Sequence, residues 1–156
     1  MAEPKHWLMK SEPDVYSIDD LERDGRTYWE GVRNYKARNT MMAMKEGDRV
    51  LYYHSRQTPP AVVGLARVVR EAYPDHTQFD PEDHYFDAKA DRDAPRWFMV
   101  DVAYERTFER PVSLPQIKAE PVLGDMVLVR QSRLSVQAVT PAEFAKVLEM
   151  AGEAST

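Results

Sequence analysis

The segment Trp29-Glu30-Gly31-Val32-Arg33-Asn34-Tyr35-Lys36-Ala37-Arg38-Asn39 holds the densest chemical equipment in the chain. An indole can stack on a flat ring, an amide can read the ring's edge, and guanidinium groups can neutralise an attached anion. A hydrophobic core has no place for Arg33, Asn34, Arg38 and Asn39 unless each finds a partner. The same residues also suit a solvated rim around one core tryptophan, and both readings stand on residue types alone.

Four other clusters bear on chemistry. Lys10-Ser11-Glu12-Pro13 follows the first apolar stretch, and an ammonium beside a hydroxyl is one way to activate a nucleophile. Neighbours on an extended segment point to opposite sides, however, so ligand binding or turn chemistry fits the pair better. Tyr53-His54-Ser55 closes a later strand, and neither a nucleophile elbow nor a phosphate-cradling glycine loop accompanies it. A polar strand end lining a site and a surface pair remain equal alternatives there. His76, Asp80, Glu82, Asp83, His84 and Asp87 are possible metal ligands by type, but their spacing matches neither a calcium loop nor a helical zinc motif. A solvated acidic loop is the better reading, and no metal is assigned. Arg130-Gln131-Ser132-Arg133 suits either a solvated turn or the positioning of a phosphate.

The elements that must position these groups are legible from periodicity. His6 to Met9 reads as an opening strand. Ser17, with Asp20 three residues on and Gly25 beyond, predicts a helix from Ile18 to Arg23. Asn34 predicts the cap of a second helix ending before Gly47, with Ala37, Met41 and Met44 facing a core. Val50 to Ser55 alternates as a half-buried strand, Ala61 to Val69 and Trp97 to Thr107 continue the pattern, and Gly64 marks a bulge or a close approach. Residues 73–96 read as an acidic surface excursion, and Leu114 to Lys118 as a short helix. Leu134 to Val139 reads as a last strand, followed by a closing helix that Thr140-Pro141-Ala142-Glu143 begins and Gly152 ends. The expected class is α+β, a small, mainly antiparallel sheet curled into a barrel and flanked by short helices.

Composition sets bounds. The 156 residues are 43% hydrophobic, enough for one domain with a sizeable core, expected over 1–156 with the core at about 5–152. A formal net charge of −5 and a pI near 5.4 argue against broad adhesion to phosphate backbones, although a few local arginines can still serve a small site. No cysteine is present, so there is no disulfide framework and no thiolate metal site. The N-terminal Met1-Ala2-Glu3-Pro4-Lys5-His6 lacks an apolar run and no later run is long enough to span a membrane, so a soluble cytoplasmic protein with access to a nucleoid is expected.

Taken together, these residues resemble the EVE domain, a branch of the PUA-like superfamily. The resemblance rests on Lys10-Ser11-Glu12-Pro13, the Trp29 to Asn39 motif, Tyr53-His54-Ser55, Pro95-Arg96-Trp97 with Val100-Asp101-Val102, and Arg130 to Val136. It runs from about His6 to the last helix, departing at Ala88 and Ala138, where relatives commonly carry proline. It implies a PUA-like barrel and kinship with YTH domains, which hold a methylated adenine in an aromatic cage. The implied ligand is a modified base, chiefly a modified cytosine in DNA rather than RNA, taken out of the stack. By the same resemblance Trp29 matches a cage aromatic, Lys10 and Ser11 the strand-end positions that touch the base, and Arg133 a basic loop near the backbone. Val32, Arg33, Asn34, Tyr35, Arg38, Tyr53, His54, Ser55, Arg130 and Ser132 complete the implied binding set.

The expected function is therefore non-enzymatic binding of a modified nucleobase by a monomer, with no cofactor and no membrane partner. An enzyme acting on a nucleotide, with Lys10, Ser11 or His54 reactive, is one alternative. A protein-interaction module using the Trp29 surface is the other. Lys10, Ser11, Trp29, Asn34, His54 and Ser55 are expected to converge on one concavity, and Trp29→Ala to abolish binding with the fold intact.

Overall fold

A computed structural model describes residues 4–153; the first three, part of the N-terminal stretch read above, and the last three lie outside the described residues. Six strands, β1 (His6–Ser11), β2 (Arg26–Tyr28), β3 (Arg49–His54), β4 (Ala61–Pro74), β5 (Phe98–Ser113) and β6 (Val136–Val139), form one sheet in the order β2-β5-β4-β3-β1-β6. β1 runs parallel to β3, and the other neighbours are antiparallel. The α+β class is as expected, but the barrel is corrected to an open sheet. Its edges are β2, of three residues, and β6, of four, too short to close a ring of ladder hydrogen bonds.

Helices form where the sequence supplies caps. Ser17 and Asp20 make a reciprocal capping box for α1 (Ile18–Asp24), and Gly25 ends it at a positive φ of 82°. Asn34 accepts from the Ala37 amide to start α2 (Tyr35–Met42). Ser113 and Gln116 box α3 (Leu114–Ala119), and Thr140 and Glu143 box α5 (Pro141–Met150), where proline opens the first turn. Each such cap stabilises its helix by about 1 kcal/mol. The short α4 (Val127–Arg130) has no side-chain cap and was not anticipated.

β3 is buried on both faces, which corrects the half-buried reading. Trp7, Met9, Val50 and Tyr52 point to one side, where they pack with Trp29 and with Leu21, Ala37 and Met41 from α1 and α2. Leu8, Leu51 and Tyr53 point to the other side and meet Ile117 of α3 and Phe144, Val147 and Leu148 of α5. Helices cover both sides, so the period-2 alternation separates two cores rather than core from solvent.

β4 and β5 extend well past the expected Val69 and Thr107, because register shifts at several points break the alternation without ending the pairing. Such bulges bend and twist the ribbon. Gly64 sits beside one of them: a Cβ there would lie 2.3 Å from the Arg106 carbonyl oxygen and 3.2 Å from the Ile18 side chain. Both sequence readings of this glycine, bulge and close approach, hold. Gly64→Ala should lower stability by about 1–3 kcal/mol, read as a reduced urea midpoint with an unchanged slope.

Candidate functional site

The parallel pairing of β1 with β3 decides where the site lies. Two parallel strands end on the same side, so Lys10 and Ser11 leave the sheet next to His54 and Ser55. β6 begins at that side too, since it runs antiparallel to β1, and the Lys10 amide donates to the Ser135 carbonyl at 2.9 Å. The turn before β6 brings Ser132 and Arg133 to the same edge, while Tyr28 and Trp29, which leave β2 at the other end of the ladder, reach the cleft over the face of the sheet, where Trp29 meets Tyr52. These segments enclose a cleft of about 630 Å³.

Trp29 forms part of its wall while remaining only 9% exposed. Its ring meets Tyr52 edge-on, with centroids 5.6 Å apart, and it belongs to the same apolar cluster as Met41 and Met44. Trp29 is thus both core and cleft. Truncation to alanine would cost about 3–5 kcal/mol, so the expectation that Trp29→Ala leaves the fold intact is revised. Tyr16, Tyr28 and Tyr85 add aromatic surface to the cleft. Tyr85 packs so tightly on the Gly31 backbone that a Cβ at Gly31, whose φ is 87°, would fall 2.5 Å from its ring.

Of the residues expected at the site, Lys10, Ser11, Trp29, Val32, Arg33, Ser55, Ser132 and Arg133 line this cleft. Asn34, Tyr35, Arg38, Tyr53, His54 and Arg130 do not. The Asn34 side chain is engaged in capping α2, and the Tyr35 ring stacks on Trp97 with centroids 4.8 Å apart. Arg38 donates to the Arg96 carbonyl at 2.8 Å and lies over the Tyr35 ring. Tyr53 is buried in the opposite core, and Arg130 pairs with Asp125 beside a shallower hollow of about 400 Å³. Ser132 and Arg133 border both hollows.

His54 is a structural histidine. Its Nε2 accepts from the Ile18 amide at 3.0 Å, which places the ring proton on Nδ1, facing Gln57 Oε1 at 3.1 Å. Burial lowers its pKa, consistent with a neutral ring fixed in this tautomer. Ser11 Oγ donates to the Tyr16 carbonyl at 2.7 Å, and Lys10 Nζ donates to the Ser132 carbonyl at 2.5 Å. Neither is paired as base to nucleophile.

Arg33 borders the cleft but its guanidinium is occupied. It donates to the Tyr85 carbonyl at 2.7 Å, to Asp75 at 3.1 Å, to Thr77 Oγ1 at 3.0 Å and to the Val32 carbonyl at 3.1 Å. Arg133, in contrast, is exposed and makes no hydrogen bond or ion pair with the described residues. Sequence reasoning did not single out Glu12, Val15, Tyr16, Thr27, Tyr28, Glu30, Gly31, Arg56, Tyr85 or Ser135 as lining residues. Glu30 and Gly31 carried a signal in their place next to Trp29. Tyr85 carried none, since it arrives from within the acidic excursion.

The profile of the EVE domain matches residues 5–150. The chain is 42% identical to human thymocyte nuclear protein 1 over 164 residues, covering 93% of this chain and 73% of that protein. It resembles the solved structure of a hypothetical protein from Leishmania major at 46% identity, with a TM-score of 0.93 and 96% of each chain covered. It also resembles the structure of human THYN1 protein in complex with 5-methylcytosine-containing DNA, at 40% identity and a TM-score of 0.91, covering 97% of this chain and 99% of that one.

Arg33→Ala would leave the fully buried Asp75 carboxylate without its cation. Removing one partner of a buried pair costs about 3–5 kcal/mol, which denaturant unfolding should register. The salt dependence of any nucleic-acid binding should stay unchanged, because this guanidinium is already engaged within the protein.

Proposed function

The chain belongs to the EVE domain family, and from that premise we propose that it reads a modified nucleobase without transforming it: a modified cytosine in DNA, turned out of the stack and held against Trp29. The observation that carries this reading is the meeting of the Trp29 wall, two polar strand ends and the uncommitted Arg133 on one cleft. Its volume falls within the range of about 300–1,000 Å³ typical of small-ligand pockets. The relative solved with 5-methylcytosine-containing DNA supports the choice of ligand.

The energetics are consistent. Stacking on an aromatic is worth roughly 1–3 kcal/mol per base, while extruding a base costs a few kcal/mol. Stacking alone barely offsets extrusion, so edge hydrogen bonds and backbone contacts must supply the remainder. The net charge of −5 lowers affinity for arbitrary DNA, leaving the bound base to decide the outcome. An enzymatic alternative is disfavoured because Lys10, Ser11 and His54 are each committed to a backbone or structural partner. A flat protein-docking face is disfavoured by the concave shape of the Trp29 surface.

In this reading the chain acts as one domain and one monomer, needs no cofactor, and prefers DNA to RNA. No helix among the described residues is long and apolar enough to cross a membrane. The compartment is whichever one holds DNA, the nucleoid-accessible cytoplasm in a cell without a nucleus.

The test is a binding series over single-stranded oligonucleotides carrying cytosine, 5-methylcytosine or other modified bases, at fixed salt. Affinity should depend on the base, and Trp29→Phe, which keeps most of the buried ring, should weaken binding. Equal affinity for every strand would overturn the proposal. Arg133→Ala should weaken modified and unmodified strands alike and reduce the salt slope by about one charge. A loss confined to the modified strand would show that Arg133 reads the base edge instead.

A further inference from the structure

Two carboxylates line the cleft, and they are not equivalent. Glu12 is exposed and lies 3.4 Å from Arg56, a partner of opposite charge. Glu30 is half-buried, and among the described residues no other side chain donates a hydrogen bond to it or forms an ion pair with it. Burial pushes its carboxyl above the usual carboxylate range. Its own backbone amide and His76 oppose that shift, while Asp75 and Asp83 add to it.

The position of Glu30 is fixed from both sides. The Trp29 amide donates to the Val100 carbonyl at 2.9 Å, and the Gly31 amide donates to Asp75 at 2.8 Å. Trp29 and Glu30 both line the cleft, so an aromatic surface and a carboxylate on one constrained stretch border the same space. The neighbouring donors are already engaged: Lys10 with the Ser132 carbonyl, Ser11 with the Tyr16 carbonyl. Glu30, by contrast, is bonded only by its own backbone amide among the described residues.

Resting on the base-reader reading above, we propose that Glu30 selects cytosine, its carboxylate accepting from the exocyclic N4 amino group of a base stacked on Trp29. Carboxylates pair with that amino group in direct readout of cytosine. Thymine offers a demanding comparison, because it shares the ring and the C5-methyl group of 5-methylcytosine and differs only along this edge. At position 4 it presents a carbonyl oxygen, which faces the carboxylate with like partial charge and leaves it desolvated without a donor.

The experiment uses one single-stranded oligonucleotide with 5-methylcytosine, thymine or an abasic site at its centre, and fluorescence anisotropy with wild type, Glu30→Gln and Glu30→Ala. Wild type should favour 5-methylcytosine over thymine by about tenfold or more, in line with one good edge contact. Glu30→Gln, whose amide can donate to a carbonyl as well as accept, should bring that ratio to within about threefold of unity, partly by strengthening thymine binding. Glu30→Ala, which removes both functions, should also collapse the ratio, and it decides the matter should the glutamine variant fail to fold. A ratio that persists in a folded variant overturns the assignment of Glu30 and leaves base reading intact. Wild type binding all three strands equally overturns base reading and, with it, this proposal.

Discussion

The cleft depends on Asp75, a carboxylate with no solvent exposure. It accepts from the Gly31 amide at 2.8 Å, the Thr77 amide at 2.8 Å, the Thr77 hydroxyl at 2.5 Å and Arg33 at 3.1 Å. Burial pushes its pKa upward, but these bonds outweigh burial and hold it below the ordinary aspartate value. An isolated buried charge would be prohibitive, so the two loops that supply the donors are bound to each other through it. One carries Trp29, Glu30 and Gly31; the other begins the acidic excursion that delivers Tyr85. Arg33 reinforces the junction by donating to the Tyr85 carbonyl. The excursion is therefore part of the cleft wall through Tyr85, and among the described residues no three of its carboxylates and imidazoles are grouped closely enough to hold a metal ion.

Local signals were legible and distant partnerships were not. Ser17, Asn34 and Thr140 were readable as caps because each binds an amide three residues ahead, a relation that spacing alone reveals. Arg33 and Arg38 were readable as polar groups in need of partners, but their partners are the carbonyls of Tyr85 and Arg96, more than fifty positions away. From the sequence, a bound ligand and a remote loop satisfy a guanidinium equally well. His54 was misread for the same reason, since its partner is the Ile18 amide at the start of α1. β2 escaped notice because three residues are too few for periodicity, although they place Trp29. Trp29 itself resisted an either–or reading: one edge-on contact to Tyr52 and one cleft-facing side satisfy both alternatives at once.

If the chain reads a base in DNA as proposed, the arginines near the site set how a negatively charged protein meets the phosphates. Arg33, Arg38 and Arg130 are engaged by carbonyls or carboxylates, and Arg56 lies close to Glu12. Arg133 stands apart, exposed at the border between the deep cleft and the shallower hollow that includes Lys36 and Gln131. Few free cations mean a weak counterion-release term, and hence little affinity for DNA of arbitrary sequence. On the proposed reading, most of the discrimination would then come from what enters the cleft.

Lys10 ties these two parts together. Its ammonium is lowered in pKa by burial, lies over the Tyr53 ring and donates to the Ser132 carbonyl, so it braces the turn that holds Arg133 against the end of β1. Lys36 makes a second tie, from α2 to the Gln131 side chain. A nucleotide has its base and its phosphates at a set separation, and a protein that contacts both must hold the two contact points at that separation. Here the stacking wall is fixed by Asp75 on one side, and the basic turn is fixed by Lys10 on the other. Lys10 is fixed at the end of β1, beside the end of its parallel neighbour β3, whereas Asp75 follows the far end of β4, so the two fixtures hold the cleft from different parts of the sheet. On the proposed reading, the residue that most resembled an activated catalytic amine in the sequence would space base from backbone recognition, and a lysine already donating to a carbonyl at 2.5 Å is poorly placed to do chemistry as well.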